Sequence, residues 1–415
     1  MGTLILSCNT GEGHNSCAKA IQAEYAAHGE RCEIVDALQF ISRRASRFIS
    51  DWHSRIYRHA PKLYQAGYRN VENRPSVFRE GTSVHRYLTS GAERLYQFIC
   101  DGQYDNIICV HVFPALAVTA MLERHPMAIT TSFVATDYTC SPSVEDSNVD
   151  CYFIPEASLI NEFAARGIPQ KKIIPSGLPV RAAFYQDTGK AEAKASLDIP
   201  AEHQHLLMMC GSIGCGPIRE LTEELSLRLS YDQILTVVCG ANEELSAKLQ
   251  KQLGGHPDIR ILGMVDNVPQ LMHSADLFLT KPGGLSTTEA AACGLPMVLM
   301  DTVAGCEGHN LDFFLSRGAA VTADTPKALA DLAMSLLATP ERLRRMSRAI
   351  RPTAGQTPAR QVPYEQIINT GMLRCMSKAC YEEKPKGHYG LVLKDYAHFT
   401  SPIRRYPDLA IHRMM

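Results

Sequence analysis

Lys281-Pro282-Gly283-Gly284-Leu285-Ser286-Thr287-Thr288-Glu289-Ala290-Ala291-Ala292-Cys293-Gly294-Leu295-Pro296 is the stretch on which the fold turns. Its paired glycines follow the apolar run Leu277-Phe278-Leu279 and precede a helix-prone run for which Ser286 or Thr287 is the expected cap, so they read as a strand-to-helix turn. Such a turn presents backbone N–H groups and the positive end of a helix dipole to an anion, and a diphosphate fits both. Glu289, one turn further on, is too acidic to face phosphates but suits the two hydroxyls of a ribose. The stretch therefore reads as a nucleoside diphosphate site.

The same grammar recurs on either side of it. Leu206–Cys210 is a strand that opens into the glycine turn Gly211-Ser212-Ile213-Gly214. Gln233–Cys239, Ile259–Val265 and Met297–Met300 read as further strands, Val268–Ser274 as a short helix, and Asp301–Asn310 as a loop before another helix. Toward the amino terminus, Thr3–Cys8 runs into Thr10-Gly11-Glu12-Gly13-His14 and a helix to about His28, then a strand at Arg31–Asp36. Asp105–His111, Ala128–Asp137, Cys151–Pro155 and Ile173–Val180 complete that half, with a helix predicted over Pro114–Glu123. The expectation is an α/β chain of two facing Rossmann-like domains, 1–186 and 202–362, with the polar run 187–201 as linker. Loops at the carboxyl ends of both sheets would line the cleft. His14, at a helix start in a glycine turn, could orient a hydroxyl or carboxylate, or simply face solvent. Asp137 ends a strand where parallel sheets keep functional groups; it could be a base, orient one, or cap the next turn.

Composition narrows the classes. A net charge of −1 over 415 residues excludes a protein that coats polyanions, and 45% apolar content supplies two cores. Fourteen cysteines without a CxxC pair or a signal peptide suit a reducing cytosol. No apolar run approaches membrane-spanning length. Residues 43–94, however, carry eleven Lys/Arg against four Asp/Glu, interleaved with aromatics that include Trp52, the only tryptophan. Trp52, Arg55, Tyr57 and Arg58 read as a patch for an anionic bilayer, with nucleic acid as the rival partner and an ordinary solvated helix pair as the plain alternative. The expected location is cytoplasmic, peripheral to the inner face of the membrane.

With these residues laid out, residues 1–362 resemble the family 28 glycosyltransferases of GT-B fold, most closely the monogalactosyldiacylglycerol synthases and bacterial diacylglycerol glucosyltransferases. Thr10-Gly11-Glu12-Gly13-His14 is similar to their glycine-histidine loop, and Lys281-Pro282-Gly283-Gly284 with Glu289 and Cys293-Gly294-Leu295-Pro296 to their donor motif. The resemblance implies a UDP-hexose donor and diacylglycerol or another lipid as acceptor. It implies that Gly211, Ser212 and Gly214, with Gly283 and Gly284, hold the diphosphate, and that Pro282 and Ser286 also belong to the donor site. Met264 and Val265 would border the uracil, Glu289 would take the ribose, and Glu307 and Asn310 would read the hexose. His14 and Asp137 would act on the acceptor, beside Gly11 and Gly13. Where the family carries Pro-Gly-Gln before its acidic residue, this chain has Ala304-Gly305-Cys306 before Glu307. The implied reaction is inverting: a base takes the proton of the acceptor hydroxyl as it attacks the anomeric carbon. With no Asp-x-Asp or metal-ligand cluster, neither metal nor cofactor is expected. A related reading is N-acetylglucosamine transfer to a polyprenyl-linked cell-wall precursor.

Residues 363–415 change character. Gly387-His388-Tyr389-Gly390-Leu391 and His398-Phe399-Thr400-Ser401-Pro402-Ile403-Arg404-Arg405-Tyr406-Pro407-Asp408-Leu409 resemble the end of the ribonuclease R catalytic domain, without the clustered aspartates that hold its metal. A fused open reading frame is the simplest implication. An RNA-contacting tail, or an inactive fusion product, is the reading from a different class.

Overall fold

The structure is a computed structural model and describes residues 2–8, 12–42, 79, 81–186, 188–212, 214–300 and 305–351. The chain divides into two units, Met1–Asn369 and Thr370–Met415, and all described residues belong to the first. Gly11, Trp52, Arg55, Tyr57 and Arg58 lie outside the described residues, as does the ribonuclease-like tail.

Two parallel sheets of six strands each form the first unit. The first contains β1 (Gly2–Ser7), β2 (Arg31–Asp36), β3 (Asn106–Cys109), β4 (Thr130–Val134), β5 (Cys151–Ile154) and β6 (Ile173–Pro175), in spatial order β2-β1-β3-β4-β5-β6. The second contains β7 (Gln204–Met209), β8 (Gln233–Val238), β9 (Ile259–Leu262), β10 (Leu277–Thr280), β11 (Met297–Leu299) and β12 (Ala320–Thr322), in order β12-β11-β10-β7-β8-β9. Strands such as β1 and β8 are buried along their whole length, as continuous apolar runs must be when helices cover both faces of a parallel sheet. Alternation then divides the second sheet between two cores. Leu206 and Met208 of β7 face one cluster, while Leu207 and Met209 join a cluster that continues into the first sheet.

In each sheet the chain order reverses beside its first strand, between β1 and β3 in one and between β7 and β10 in the other. Helices leaving the two neighbouring strands there go to opposite faces, which opens a crevice at their carboxyl ends. The decisive stretch supplies helix Gly284–Cys293 at the second crevice. This helix stops at Gly294, which at φ 66° is left-handed and returns its N–H to the carbonyls of Ala290 and Ala291. Its cap is Gly283, with no side-chain bond, so Ser286 and Thr287 are not caps: both lie in the first turn, and Thr287 Oγ1 donates to the carbonyls of Gly283 and Gly284.

The run expected as a linker is partly ordered structure. Lys190–Ala195 is a helix docked on helix Val268–Ser274. Its Lys194 is buried, 3.2 Å from Asp276 Oδ2 and 2.6 Å from the His203 carbonyl oxygen. Lys190 and Glu192 are exposed as a polar run suggests, whereas Lys194 is buried in an ion pair, and composition alone does not separate the two.

Candidate functional site

At the first crevice, helix Glu12–Ala27 follows β1 and places His14 in its first turn. His14 Nδ1 lies 2.8 Å from the Val110 carbonyl oxygen and 3.2 Å from Thr136 Oγ1. A carbonyl only accepts, so Nδ1 carries the proton and Nε2 of the neutral ring keeps its lone pair. Burial pulls the His14 pKa below the ordinary value, against the opposing charge of Asp137 and the bond to Val110. Beside it stands His111, at the end of β3, with ring centroids 4.6 Å apart and edge to face. His111 Nδ1 accepts from the Phe113 N–H at 3.1 Å and so caps helix Val112–Arg124; its proton is therefore on Nε2. Two histidines of opposite tautomer thus meet at the switch point. Sequence reasoning passed over His111, although it ends a strand as Asp137 does.

Asp137 reaches across to the second half. Asn310 Nδ2 donates to its Oδ1 at 2.8 Å, and the Gly284 N–H bonds it as well. Burial pushes its pKa up, and the Glu307 charge adds to this; Asn310, the His14 charge and the Gly284 N–H pull it down. These contacts correct two expectations. A Cβ on Gly284 would lie 2.0 Å from the Thr136 carbonyl oxygen, so this glycine permits the close approach of the two halves, and its N–H goes to Asp137 rather than to a diphosphate. Asn310, fully buried, uses both amide protons, on Asp137 and on the Pro282 carbonyl 2.9 Å away, and accepts from the Tyr138 N–H at 2.7 Å. It ties the halves together and has no donor left for a hexose.

The other donor-side residues divide similarly. The Gly283 N–H bonds the Lys281 carbonyl at 2.8 Å, and that of Gly214 the Gly211 carbonyl at 3.3 Å. Gly214 is required by packing, since a Cβ there would lie 2.1 Å from the Cys239 carbonyl oxygen. Among the described residues, the uncommitted donors of helix Gly284–Cys293 are the N–H groups of Leu285 and Ser286. Gly211 and Ser212 sit beside them across the β7–β10 crevice. Gly13 meets Leu285, which brings the first turns of the two site helices together.

Glu289 is 9% exposed, and no hydrogen-bond partner contacts it among the described residues. Burial raises its pKa to about 7, with only the charge of Arg181 opposing. Burial with few donors nearby is the condition under which a carboxylate gains most from an incoming hydroxyl. Met264, 64% exposed, and half-buried Val265 follow β9 at the rim. Glu307 begins helix Cys306–Ser316 and pairs with Lys281 at 2.8 Å. A mixed cavity of about 340 Å³ lined by Arg79, His85, Thr119, Ala120, Glu123 and Asp146 shares no residue with this site. Among the described residues no helix is long and apolar enough to cross a membrane.

Residues 14–180 match the family model of monogalactosyldiacylglycerol (MGDG) synthase, and residues 219–352 that of glycosyl transferases group 1. A third model, the RNB domain, matches residues 310–415. It overlaps the second match over 310–352, where β12 pairs with β11 and so belongs to the second sheet. The processive diacylglycerol beta-glucosyltransferase of Bacillus licheniformis is 28% identical over 350 residues, covering 84% of this chain and 90% of its own. That of Staphylococcus saprophyticus is 22% identical, covering 94% and 97%. The UDP-GlcNAc 2-epimerase of Neisseria meningitidis bound to UDP-GlcNAc superposes with a TM-score of 0.58 at 14% identity, over 89% of this chain and all of that one. MurG of Acinetobacter baumannii gives 0.57 at 12% identity, over 88% and 99%. The fold is therefore GT-B, and the resemblance read from the sequence holds in both its glycosyltransferase and its ribonuclease-like parts.

Proposed function

We propose that this chain is an inverting glycosyltransferase that moves a hexose from a UDP-sugar to diacylglycerol at a membrane surface. The observation that carries the reading is His14. Its Nε2 lone pair is fixed by the Val110 carbonyl, at the point where the first crevice meets the start of helix Gly284–Cys293. In this reading the acceptor hydroxyl gives its proton to Nε2 while its oxygen bonds to the anomeric carbon. The bond from that carbon to the diphosphate breaks, with its electron pair going to the departing oxygen, and a single displacement inverts the centre. Asp137 stabilises the imidazolium by charge, and the Leu285 and Ser286 N–H groups with the helix dipole meet the charge of the leaving UDP. Glu289 holds the ribose. No step is given to a metal or cofactor. The names of the relatives support diacylglycerol as acceptor and glucose as the sugar, and a lipid acceptor places the enzyme on a membrane face, for which the inner one is our reading.

The test is UDP release from UDP-glucose, UDP-galactose and UDP-N-acetylglucosamine, with and without diacylglycerol in anionic vesicles, for the whole chain and for one ending at Val362. Release that requires diacylglycerol and one hexose supports the reading, and equal rates in both chains mark the tail as a passenger. Release with no dependence on diacylglycerol sinks it.

A further inference from the structure

We propose that the cavity beside helix Val112–Arg124 is a second hexose site, filled by the head group of the glycolipid that the proposed reaction makes. This rests on the UDP-sugar reading above, but none of the cavity's residues has a part in that reading. The cavity of about 340 Å³ lies between three elements. Helix Val112–Arg124 gives it Thr119, Ala120 and Glu123, whose helical spacing puts them on one face. The short helix Ser83–Leu88, packed against that helix, gives His85, with Arg79 shortly before it, and the turn Val144–Asp146 gives Asp146. Thr119 and Glu123 stand about 12–18 Å along the helix from its cap, His111, at roughly 1.5 Å per residue, so this is not the reaction crevice.

Backbone contacts hold the walls in place. Thr119 Oγ1 donates to the Ala115 carbonyl at 2.8 Å and accepts from the Asn148 N–H at 2.9 Å, which fixes the helix to the segment carrying Asp146. The Arg79 carbonyl accepts from the Thr82 hydroxyl at 2.9 Å and from its N–H at 3.2 Å, so Arg79 is anchored to the start of its helix. Asp146 is less well served: its Oδ2 is buried and, among the described residues, has no hydrogen-bond partner. Such an oxygen is costly unless a ligand or a water brings it a donor.

The lining selects the ligand. Glu123 and Asp146 repel a phosphate and Arg79 repels a cation, while among the described residues no three His, Cys, Asp or Glu side chains are grouped to hold a metal ion. A neutral molecule with several hydroxyls meets all of these groups, donating to Glu123 and Asp146 and accepting from Arg79 or His85. The volume is at the small end of the range of about 300–1,000 Å³ for ligand sites, which suits one sugar ring rather than a nucleotide. Helix Ser83–Leu88 belongs to the basic, aromatic stretch 43–94, the part of the chain expected to meet a bilayer, so a sugar carried on a lipid reaches this side first. Holding that sugar would keep the enzyme where its product accumulates.

The test is co-sedimentation of the full chain, without donor, on phosphatidylglycerol vesicles containing diacylglycerol alone or diacylglycerol with β-glucosyl diacylglycerol. Binding to the glycolipid vesicles should be several-fold stronger. Asp146→Ala removes the acceptor and Ala120→Leu fills the cavity; each should abolish the preference while leaving diacylglycerol-dependent UDP release near the wild-type rate, which also reports that the variant folds. Equal binding of wild type to both vesicles would overturn the proposal. So would a preference that survives in both variants, since the reaction crevice would then be reading the sugar. Binding of soluble methyl β-D-glucoside, followed by ligand-observed NMR, without any vesicle preference would mark a free-sugar site and overturn the head-group assignment. A chain that shows the preference yet releases no UDP would instead defeat the UDP-sugar reading and leave a glycolipid site standing.

Discussion

The two sheets are near copies in topology and opposites in chemistry. Each has six parallel strands whose order reverses beside the first, and each reversal opens a crevice at the carboxyl ends. The first crevice is furnished with imidazoles, His14 after β1 and His111 after β3. The second is furnished with glycines, backbone donors and a lysine, at Gly211, Ser212 and Lys281–Ser286. Topology therefore fixes where the crevices lie, and in the proposed function the first few residues after each strand decide whether a crevice moves a proton or holds an anion.

The largest expected effect tests the proton-moving side. His14→Gln should lower kcat by about 10²–10⁴, the usual worth of a general base, with little change in the KM for UDP-hexose, as steady-state kinetics would show. A large rise in that KM without loss of kcat would dissolve the contrast between the crevices. Asp137→Asn should act through His14. The Asp137 charge raises the His14 pKa against burial; without it the pKa falls further, and the acid limb of the kcat/KM profile moves to lower pH. At the same time kcat should drop by about tenfold, because the imidazolium loses its counter-charge. An acid limb that stays in place or moves upward would remove Asp137 from the mechanism.

On the anion-holding side the informative group is Glu289. Its pKa of about 7 in the folded protein lies above the unfolded value of roughly 4.3, so the folded state binds the extra proton between them. Stability of the unliganded chain is therefore expected to fall as pH rises across that window, by on the order of 3 kcal/mol. Glu289→Gln should abolish the fall, which thermal unfolding at pH 5 and pH 8 would reveal, while weakening the donor. Affinity for UDP-glucose, whose diphosphate is a diester and does not titrate there, should rise with pH through 7 in the wild type and stay flat in the variant.

Much of this frame was legible in the residues. Every strand expected from an apolar run is present, and Arg31–Asp36 and Val268–Ser274 have the expected bounds. His14 and Glu289 stand where local grammar put them. Reading failed where a partner arrives from the other half of the chain. Nothing near Gly284 in sequence announces that Thr136 and Asp137 will press against it, and nothing near Asn310 that its amide will be spent on Asp137 and Pro282. A local motif shows which donors a turn offers, and only the tertiary contact shows which are already taken. Lys190–Ala195 failed for the same reason, because the acid that buries Lys194 is Asp276.

The seam between the halves supplies the smallest prediction, and the one that separates holding from reacting. Thr288 Oγ1 lies 2.7 Å from the Gly284 carbonyl oxygen and 2.8 Å from Tyr138 Oη. Its single proton goes to the carbonyl, so Tyr138 donates to Thr288 across the seam. Tyr138→Phe removes that proton yet leaves the ring against Phe313 and Phe314, and Thr288 keeps its own bond. The loss should be about 1 kcal/mol of stability with kcat within a factor of two of wild type. A larger fall in kcat would mean that the seam itself sets the geometry between His14 and the donor, so that the two crevices act as one site.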